Sequence, residues 1–319
     1  MSVSVIIPIK AKQQYVVEGF IDNIVNLARD VAHDEIQIVI SDESVGDVYS
    51  YIDTYMVNYT NVVHFVPRVE ARTGANDKSN GVCEAFKYAK YDNILLVDDH
   101  FRLNRETIIK LEKYFDKYDV FKCMPKFEKY KLSVLIDLCG MFVINILDYR
   151  KQYCGHLAFK KSQFEKCGLP CRDALFDEFA FEKHLRKNGY NVGFVRDVSI
   201  DAVQEITTKR FFEQRVRYAY ENLAMPFRFL LYMLILPLLI SCAIIDVKVA
   251  ENLIIACTAG VTVIALIGQV LYGRDICPKY TFLLSPIWFW FYPVTTWMAL
   301  VCFFNGGVSF GGNKVKKAG

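Results

Sequence analysis

Short polar clusters end each hydrophobic run in the first third of the chain, and their side chains suit a charged, oxygen-rich ligand. Lys10 follows the run Val3–Ile9, Asp42, Glu43 and Ser44 follow Glu35–Ser41, and Asp98, Asp99 and His100 follow Asn93–Val97. A carboxylate at Asp42 can accept from a uracil or a ribose hydroxyl. Asp98-Asp99-His100 offers hard oxygen ligands and an imidazole to a divalent cation set against a diphosphate. The same aspartates could equally cap following helices. No GxGxxG or GxxxxGK[ST] follows the first run, which argues against a dinucleotide-binding dehydrogenase and a P-loop ATPase. A nucleotide site built from carboxylates remains.

The elements that must position these clusters alternate. Val3–Ile9 and Glu35–Ser41 are β-branched runs separated by an amphipathic stretch from Tyr15 to Val31, a βαβ pattern. It continues through Val62–Val66, a helix from about Gly81 to Lys90, the run Asn93–Val97, a helix near Asn104–Tyr118 and Val120–Met124. Strands alternating with helices predict a mostly parallel sheet covered on both faces, and ligands in such sheets sit beyond the carboxyl ends of the strands.

Charge divides the chain in two. Its 319 residues carry a formal charge of +3, which argues against a dedicated nucleic-acid partner. From Phe229 onward there are six basic and three acidic residues, leaving 32 of each sign before it. Phe229–Ile245, Asn252–Gly273 and Tyr280–Asn313 contain no Asp, Glu, Lys or Arg, the last being apolar as far as Phe304. Runs of about 20 apolar residues predict membrane-embedded helices. Arg217, Arg228, Arg274, Lys279, Lys314, Lys316 and Lys317 stand as interfacial anchors, and Trp288, Trp290, Tyr292 and Trp297 as an aromatic belt.

The beginning of the chain is apolar too briefly for a signal peptide, so the first domain is expected in the cytosol. Ten cysteines without a CxxC pair fit a reducing compartment, and Cys167, Cys171, His156 and His184 match no closed zinc pattern. Basic residues before the first span and around Arg274 and Lys279 belong on the cytosolic side. A third full crossing would then strand the Lys314–Lys317 tail outside. Pro286 and Pro293 suggest instead that Tyr280–Pro293 lies along the interface or re-enters.

In order along the chain, Val3-Ser4-Val5-Ile6-Ile7-Pro8, Ile40-Ser41-Asp42-Glu43-Ser44, Asp77-Lys78-Ser79-Asn80-Gly81 and Leu95-Leu96-Val97-Asp98-Asp99-His100 resemble inverting GT-A glycosyltransferases that use nucleotide-diphospho-sugars. Gln214-Arg215-Val216-Arg217-Tyr218 resembles the Q-x-x-R-W signature of the membrane-bound members: cellulose, chitin and hyaluronan synthases and ceramide glucosyltransferases. The ceramide glucosyltransferase-like branch fits best. Asn76–Asn80 is similar to its lysine-asparagine segment, and Val308-Ser309-Phe310-Gly311-Gly312-Asn313-Lys314 to its closing V-x-W-R-G-R segment. The sequence departs from the family pattern in its adjacent aspartates where D-x-D is usual, in the inverted Asp177-Glu178 pair, and in Tyr218 for the signature tryptophan.

The resemblance implies a GT-A (Rossmann-like) α/β domain over 1–205, an interfacial signature helix over 206–228, two to three hydrophobic segments over 229–304 and a basic tail over 305–319. It implies donor contacts from Pro8, Asp42, Ser44, Lys78, Asn80, Asp98, Gln214, Arg215, Arg217 and Tyr218, and acceptor contacts from Gly155 and His156. Asp98, Asp99 and His100 would hold Mg2+ or Mn2+, and Asp177 or Glu178 would be the catalytic base. The implied reaction moves a sugar, with inversion, from a UDP-sugar to a membrane lipid such as ceramide. The alternatives are a processive polysaccharide synthase and an inactive nucleotide-sugar-binding membrane protein. In chemical terms a poor hydroxyl nucleophile needs a carboxylate to take its proton, and the leaving diphosphate needs a cation or guanidinium.

Overall fold

The computed structural model describes residues 2–174, 176–203, 207–310 and 313–315. Its elements follow in order: β1 Ser2–Ile9, α1 Glu18–Asp30, β2 Glu35–Asp42, α2 Gly46–Met56, β3 Val62–Phe65, α3 Asp77–Ala85, β4 Asn93–Val97, β5 Phe101–Arg102, α4 Arg105–Glu112, β6 Val120–Phe127, α5 Leu132–Asp148, β7 His156–Lys160, α6 Lys161–Cys167, α7 Asp177–Lys187 and β8 Val192–Ala202. Four further helices, α8 Thr208–Glu221, α9 Pro226–Ile245, α10 Val247–Tyr272 and α11 Ser285–Phe304, precede a hairpin of β9 Val308–Phe310 and β10 Asn313–Val315.

The first eight strands form one sheet in the order β3-β2-β1-β4-β7-β6-β8-β5. β3, β2, β1 and β4 are mutually parallel, as the βαβ pattern requires. β7 enters antiparallel between β4 and β6, and β6 pairs parallel with β8. The β-branched runs explain the core: Val3, Val5, Ile7, Ile36, Ile38, Ile40, Leu95 and Val97 pack with Phe20, Ile24 and Leu27 of α1 in one buried cluster. Strands buried on both faces read as unbroken apolar runs, which is why these were visible in the sequence.

The chain divides into two compact units: residues 1–128, 153–173 and 177–204 form the first, and residues 129–152, 174–176 and 205–319 the second. The expected cut at 205/206 lies outside the described residues, as do Gly311, Gly312, Lys316 and Lys317 of the closing segment and tail. Residues 129–152 belong to the second unit although they fall within the span assigned by sequence to the α/β domain.

Four helical segments are long and apolar enough to cross a membrane: Leu132–Lys151, Pro226–Ile245, Val247–Tyr272 and Thr281–Phe304. The first was not expected. β6 and β7, which flank it in sequence, are hydrogen-bonded neighbours through Val120–Phe159 and Phe121–Ala158. A straight helix of 17 residues rises about 25 Å, so one crossing would set its two ends a bilayer core apart. α5 therefore does not carry the chain across a membrane. It packs inside the second unit, where a Cβ on Gly140 would fall 2.0 Å from the Trp288 indole nitrogen.

α9 differs: Leu230, Leu231, Leu234, Leu238, Ile240 and Ile244 are all exposed, a broad apolar face beside the buried Phe229 and Tyr232. α11 runs unbroken through Pro293. Its Trp288 and Tyr292 are buried, 2% and 3% exposed, so these two members of the expected aromatic belt fill the helix bundle, while Trp297 is 41% exposed.

Candidate active site

The parallel strands deliver their carboxyl ends to one edge of the first unit. Asp98, the first residue beyond β4, donates its backbone N–H to the carbonyl of Gly155 at 3.0 Å. Gly155 adopts φ +71°. A Cβ there would meet the Phe101 ring at 2.8 Å, so a residue without a side chain is required by both backbone and space. Its own N–H reaches Glu178 Oε1 at 3.3 Å. Gly155 thus joins Asp98 to Glu178 through its backbone.

Lys78 completes the arrangement. It lies in the first turn of α3, which begins at Asp77 and not near Gly81, because Asn76 caps it by accepting from the Ser79 N–H at 3.3 Å. The Lys78 ammonium is 2.5 Å from Asp98 Oδ1, 2.8 Å from Asp177 Oδ1 and 3.8 Å from Glu178 Oε2. One cation therefore collects carboxylates from the end of β4 and the first turn of α7. The helix dipole favours anions in that turn.

Burial would lower the Lys78 pKa, but the carboxylates outweigh it and hold it well above the ordinary lysine range. Burial also raises Asp177, yet the charge of Lys78 and a hydrogen bond from Glu178 prevail and keep it below the usual aspartate range. Glu178 moves the other way: burial pushes it well above the glutamate range, Lys78 opposes, and Asp177 and Asp98 add their repulsion. Asp98 is raised by burial as well. These opposite directions favour the charged form of Asp177, beside Lys78, and the neutral form of Glu178.

The expected metal cluster does not assemble. Asp98 is engaged by Lys78, while Asp99, 45% exposed, faces His100 Nδ1 at 3.6 Å. Among the described residues no three His, Cys, Asp or Glu side chains converge as a ligand set. The side chains present do not fit a divalent ion held by Asp98, Asp99 and His100, because an ammonium already stands against the one carboxylate that faces the other acidic residues.

Several other candidate residues are spent on the scaffold. Asp42 is fully buried; its Oδ1 accepts from the Ser44 N–H at 2.7 Å and its Oδ2 lies 2.9 Å from His64 Nε2. Ser44 Oγ accepts from the Ala11 N–H at 2.8 Å, tying the ends of β1 and β2 together. Asn80, also buried, clasps Gly74 through both backbone groups, at 3.0 and 2.7 Å. His156 is buried with Nδ1 3.1 Å from the Cys154 carbonyl and Nε2 accepting from the Cys123 N–H at 3.1 Å, and burial lowers its pKa to about 3. It is a neutral core imidazole, not an acceptor contact. Pro8 is a buried residue of β1 in register with Ser41.

Gln214, Arg215, Arg217 and Tyr218 lie on α8 in the second unit. Arg215 is buried, 2.5 Å from Asp137 Oδ1 of α5, with its guanidinium 5.0 Å over the Phe211 ring and 4.7 Å over the Tyr218 ring. Tyr218 in turn stacks on Phe176 at 5.3 Å. Gln214 is buried, and Arg217 is half-buried. Within this unit Arg215 joins α8 to α5, and Tyr218 packs between Arg215 and Phe176.

No family model matches the sequence, and no curated protein matches it. Among solved structures, a mannosyltransferase from Pyrobaculum calidifontis in complex with GDP-Man and Mn2+ superposes with a TM-score of 0.53 at 15% identity, covering 96% of this chain and 76% of that one. The two share a mixed α/β fold. S. aureus TarS 1-349 gives a TM-score of 0.47 at 14% identity over the full length of both chains, and its complex with UDP-GlcNAc 0.45 at 16% identity over 94% and 92%.

Some residues that shape this site were not singled out from sequence. His64 stands between Asp42 and Asp53, 2.9 Å from each, with the Tyr49 ring stacked on it at 4.4 Å. The parallel register Ile40–His64 would have placed it beside Asp42 once β2 and β3 were paired. Lys122 of β6 and Glu182 of α7 form a fully buried ion pair that fixes the helix carrying Asp177 and Glu178. Its signal was a lysine inside an apolar strand, since an unpaired charge is not tolerated there.

Proposed function

We propose that this protein transfers a glycosyl group from a nucleotide-diphospho-sugar to a hydroxyl acceptor, with inversion, and that the acceptor is a membrane lipid. The observation that carries the reading is the Lys78–Asp98–Asp177–Glu178 cluster at the carboxyl edge of a sheet with this fold. Asp177 is the base. The acceptor oxygen attacks the anomeric carbon as its proton passes to Asp177, the new C–O bond forms, and the bond to the diphosphate breaks with its electron pair going to the leaving group. Glu178, holding a proton against Asp177, steadies the carboxylate that receives the acceptor proton. Attack from the face opposite the leaving group inverts the anomer.

The lipid acceptor is supported by α9, α10 and α11, which are long and apolar enough to sit in a bilayer. UDP-sugars are the proposed donors and a ceramide-like lipid the proposed acceptor, in line with the lysine-asparagine segment at Asn76–Asn80. The test is to incubate the purified full-length protein in detergent with radiolabelled UDP- and GDP-sugars and mixed lipids, then separate the products. One labelled glycolipid is expected. A polymer ladder would make the chain a processive synthase, and an unlabelled lipid fraction with every donor would overturn the reading.

A further inference from the structure

The cation that faces the carboxylates of this site belongs to the chain itself. Lys78 Nζ lies within 2.8 Å of oxygens from both Asp98 and Asp177 and 3.8 Å from Glu178. Its backbone is fixed from several sides. Asn76 caps α3 and donates its N–H to the Arg172 carbonyl at 2.9 Å, Ala75 N–H reaches Asp173 Oδ1 at 2.9 Å, Asn80 clasps Gly74, and the buried Glu84 accepts from the Arg68 N–H at 2.7 Å. The carboxylates of Asp98 and Asp177 hold the ammonium at the end of a lysine whose helix is anchored at its first turn. A divalent ion ligated by Asp98 would stand about 2–2.6 Å from its oxygen, forcing two cations onto one carboxylate across a few ångströms.

We propose that the Lys78 ammonium is the cation of this site, standing where a divalent ion would link carboxylate to diphosphate, so that glycosyl transfer proceeds without a divalent metal. The proposal rests on the glycosyl-transfer reading and adds the identity of the charge that meets the leaving diphosphate. An ammonium has three donors and a compact charge, enough to bridge carboxylate and phosphate oxygens. In this arrangement Asp98 orients Lys78, where the family pattern would have it ligate a metal.

Two readouts on purified full-length protein in detergent decide it. The first is transfer in excess EDTA against transfer with added Mn2+, for the wild type and for Lys78→Met. The second is electron paramagnetic resonance of Mn2+, with and without UDP, for the wild type. The proposal expects wild-type rates within about two-fold in EDTA and in Mn2+, no bound Mn2+ in the wild type, and in Lys78→Met a loss of about 10²-fold or more that Mn2+ does not restore. Transfer abolished by EDTA and restored by Mn2+, or Mn2+ held by the wild type in the presence of UDP, overturns it. The wild-type arms need no variant, so a Lys78→Met chain that fails to fold leaves the answer intact. Should no donor be used under any condition, the glycosyl-transfer reading fails separately, while the resonance arm still reports whether Lys78 or a metal is the cation.

Discussion

Asp177 and Glu178 are neighbours in sequence with opposite electrostatic fates, and Lys78 is the reason. It lies 2.8 Å from Asp177 and 3.8 Å from Glu178, so its charge lowers the one below its usual range while burial drives the other above. Glu178→Gln keeps a hydrogen-bond donor toward Asp177 and should retain transfer within about ten-fold of the wild type. The pH profile follows from the same signs. Asp177, depressed by Lys78, stays ionised below the ordinary aspartate range; its contribution to stability is present above the unfolded aspartate value and is lost as pH drops through its folded pKa. Glu178, raised, contributes below the ordinary glutamate value and loses that contribution as pH rises through its folded pKa. Transfer should therefore weaken on the alkaline side as a second charge appears beside Asp177, and initial rates across pH should show that limb vanish in Glu178→Gln; a limb that survives would remove Glu178 as its source. Part of this was legible from the residues alone: the Asp177-Glu178 pair and Lys78 were candidates, but which carboxylate carries the charge depends on a lysine about a hundred positions away. Asp42 and Ser44 stood out for a physical reason, whereas Asn80 and His156 were implied only by the resemblance. Short polar side chains at strand ends serve loops and caps as readily as substrates.

Elements were read well where burial on both faces imposed a pattern. β1, β2 and β4 appeared as unbroken apolar runs and are unbroken strands. α5 was missed because Asp137 interrupts its apolar stretch, and the charge is tolerated since Arg215 of α8 pairs with it at 2.5 Å. A residue of the signature segment thus explains a helix elsewhere in the chain. Arg215→Ala would leave Asp137 buried and unpaired, and the thermal midpoint should fall by the equivalent of about 3–5 kcal/mol. α7 is held in the same manner by Lys122 and Glu182. Lys122→Met should cost about 3–5 kcal/mol by removing the ammonium that faces the buried Glu182 carboxylate, whereas the double variant Lys122→Met with Glu182→Leu should recover most of it. Circular dichroism melts in detergent check both, and additive losses in the double variant would show that the pair is not coupled.

At the scale of the whole molecule, the chain joins a sheet-centred unit to helices whose outer surface is apolar. The exposed leucines and isoleucines of α9 have no counterpart on an ordinary water-facing helix. The full chain should accordingly stay with the membrane pellet through alkaline carbonate extraction, and its release into the supernatant would contradict a bilayer location for α9–α11. The sequence revealed these three segments because charge is absent from them, but not that α11 continues through Pro293, since its neighbours can absorb the missing donor. The central claim is that Asp177 takes a proton from an acceptor hydroxyl during sugar transfer. Its most direct test is the initial rate of label transfer from a saturating radiolabelled UDP-sugar to lipid by the full-length protein and by Asp177→Asn, with donor affinity measured in parallel. The account predicts a fall of about 10²–10⁴-fold with donor affinity unchanged; a variant that transfers sugar at the wild-type rate would contradict it.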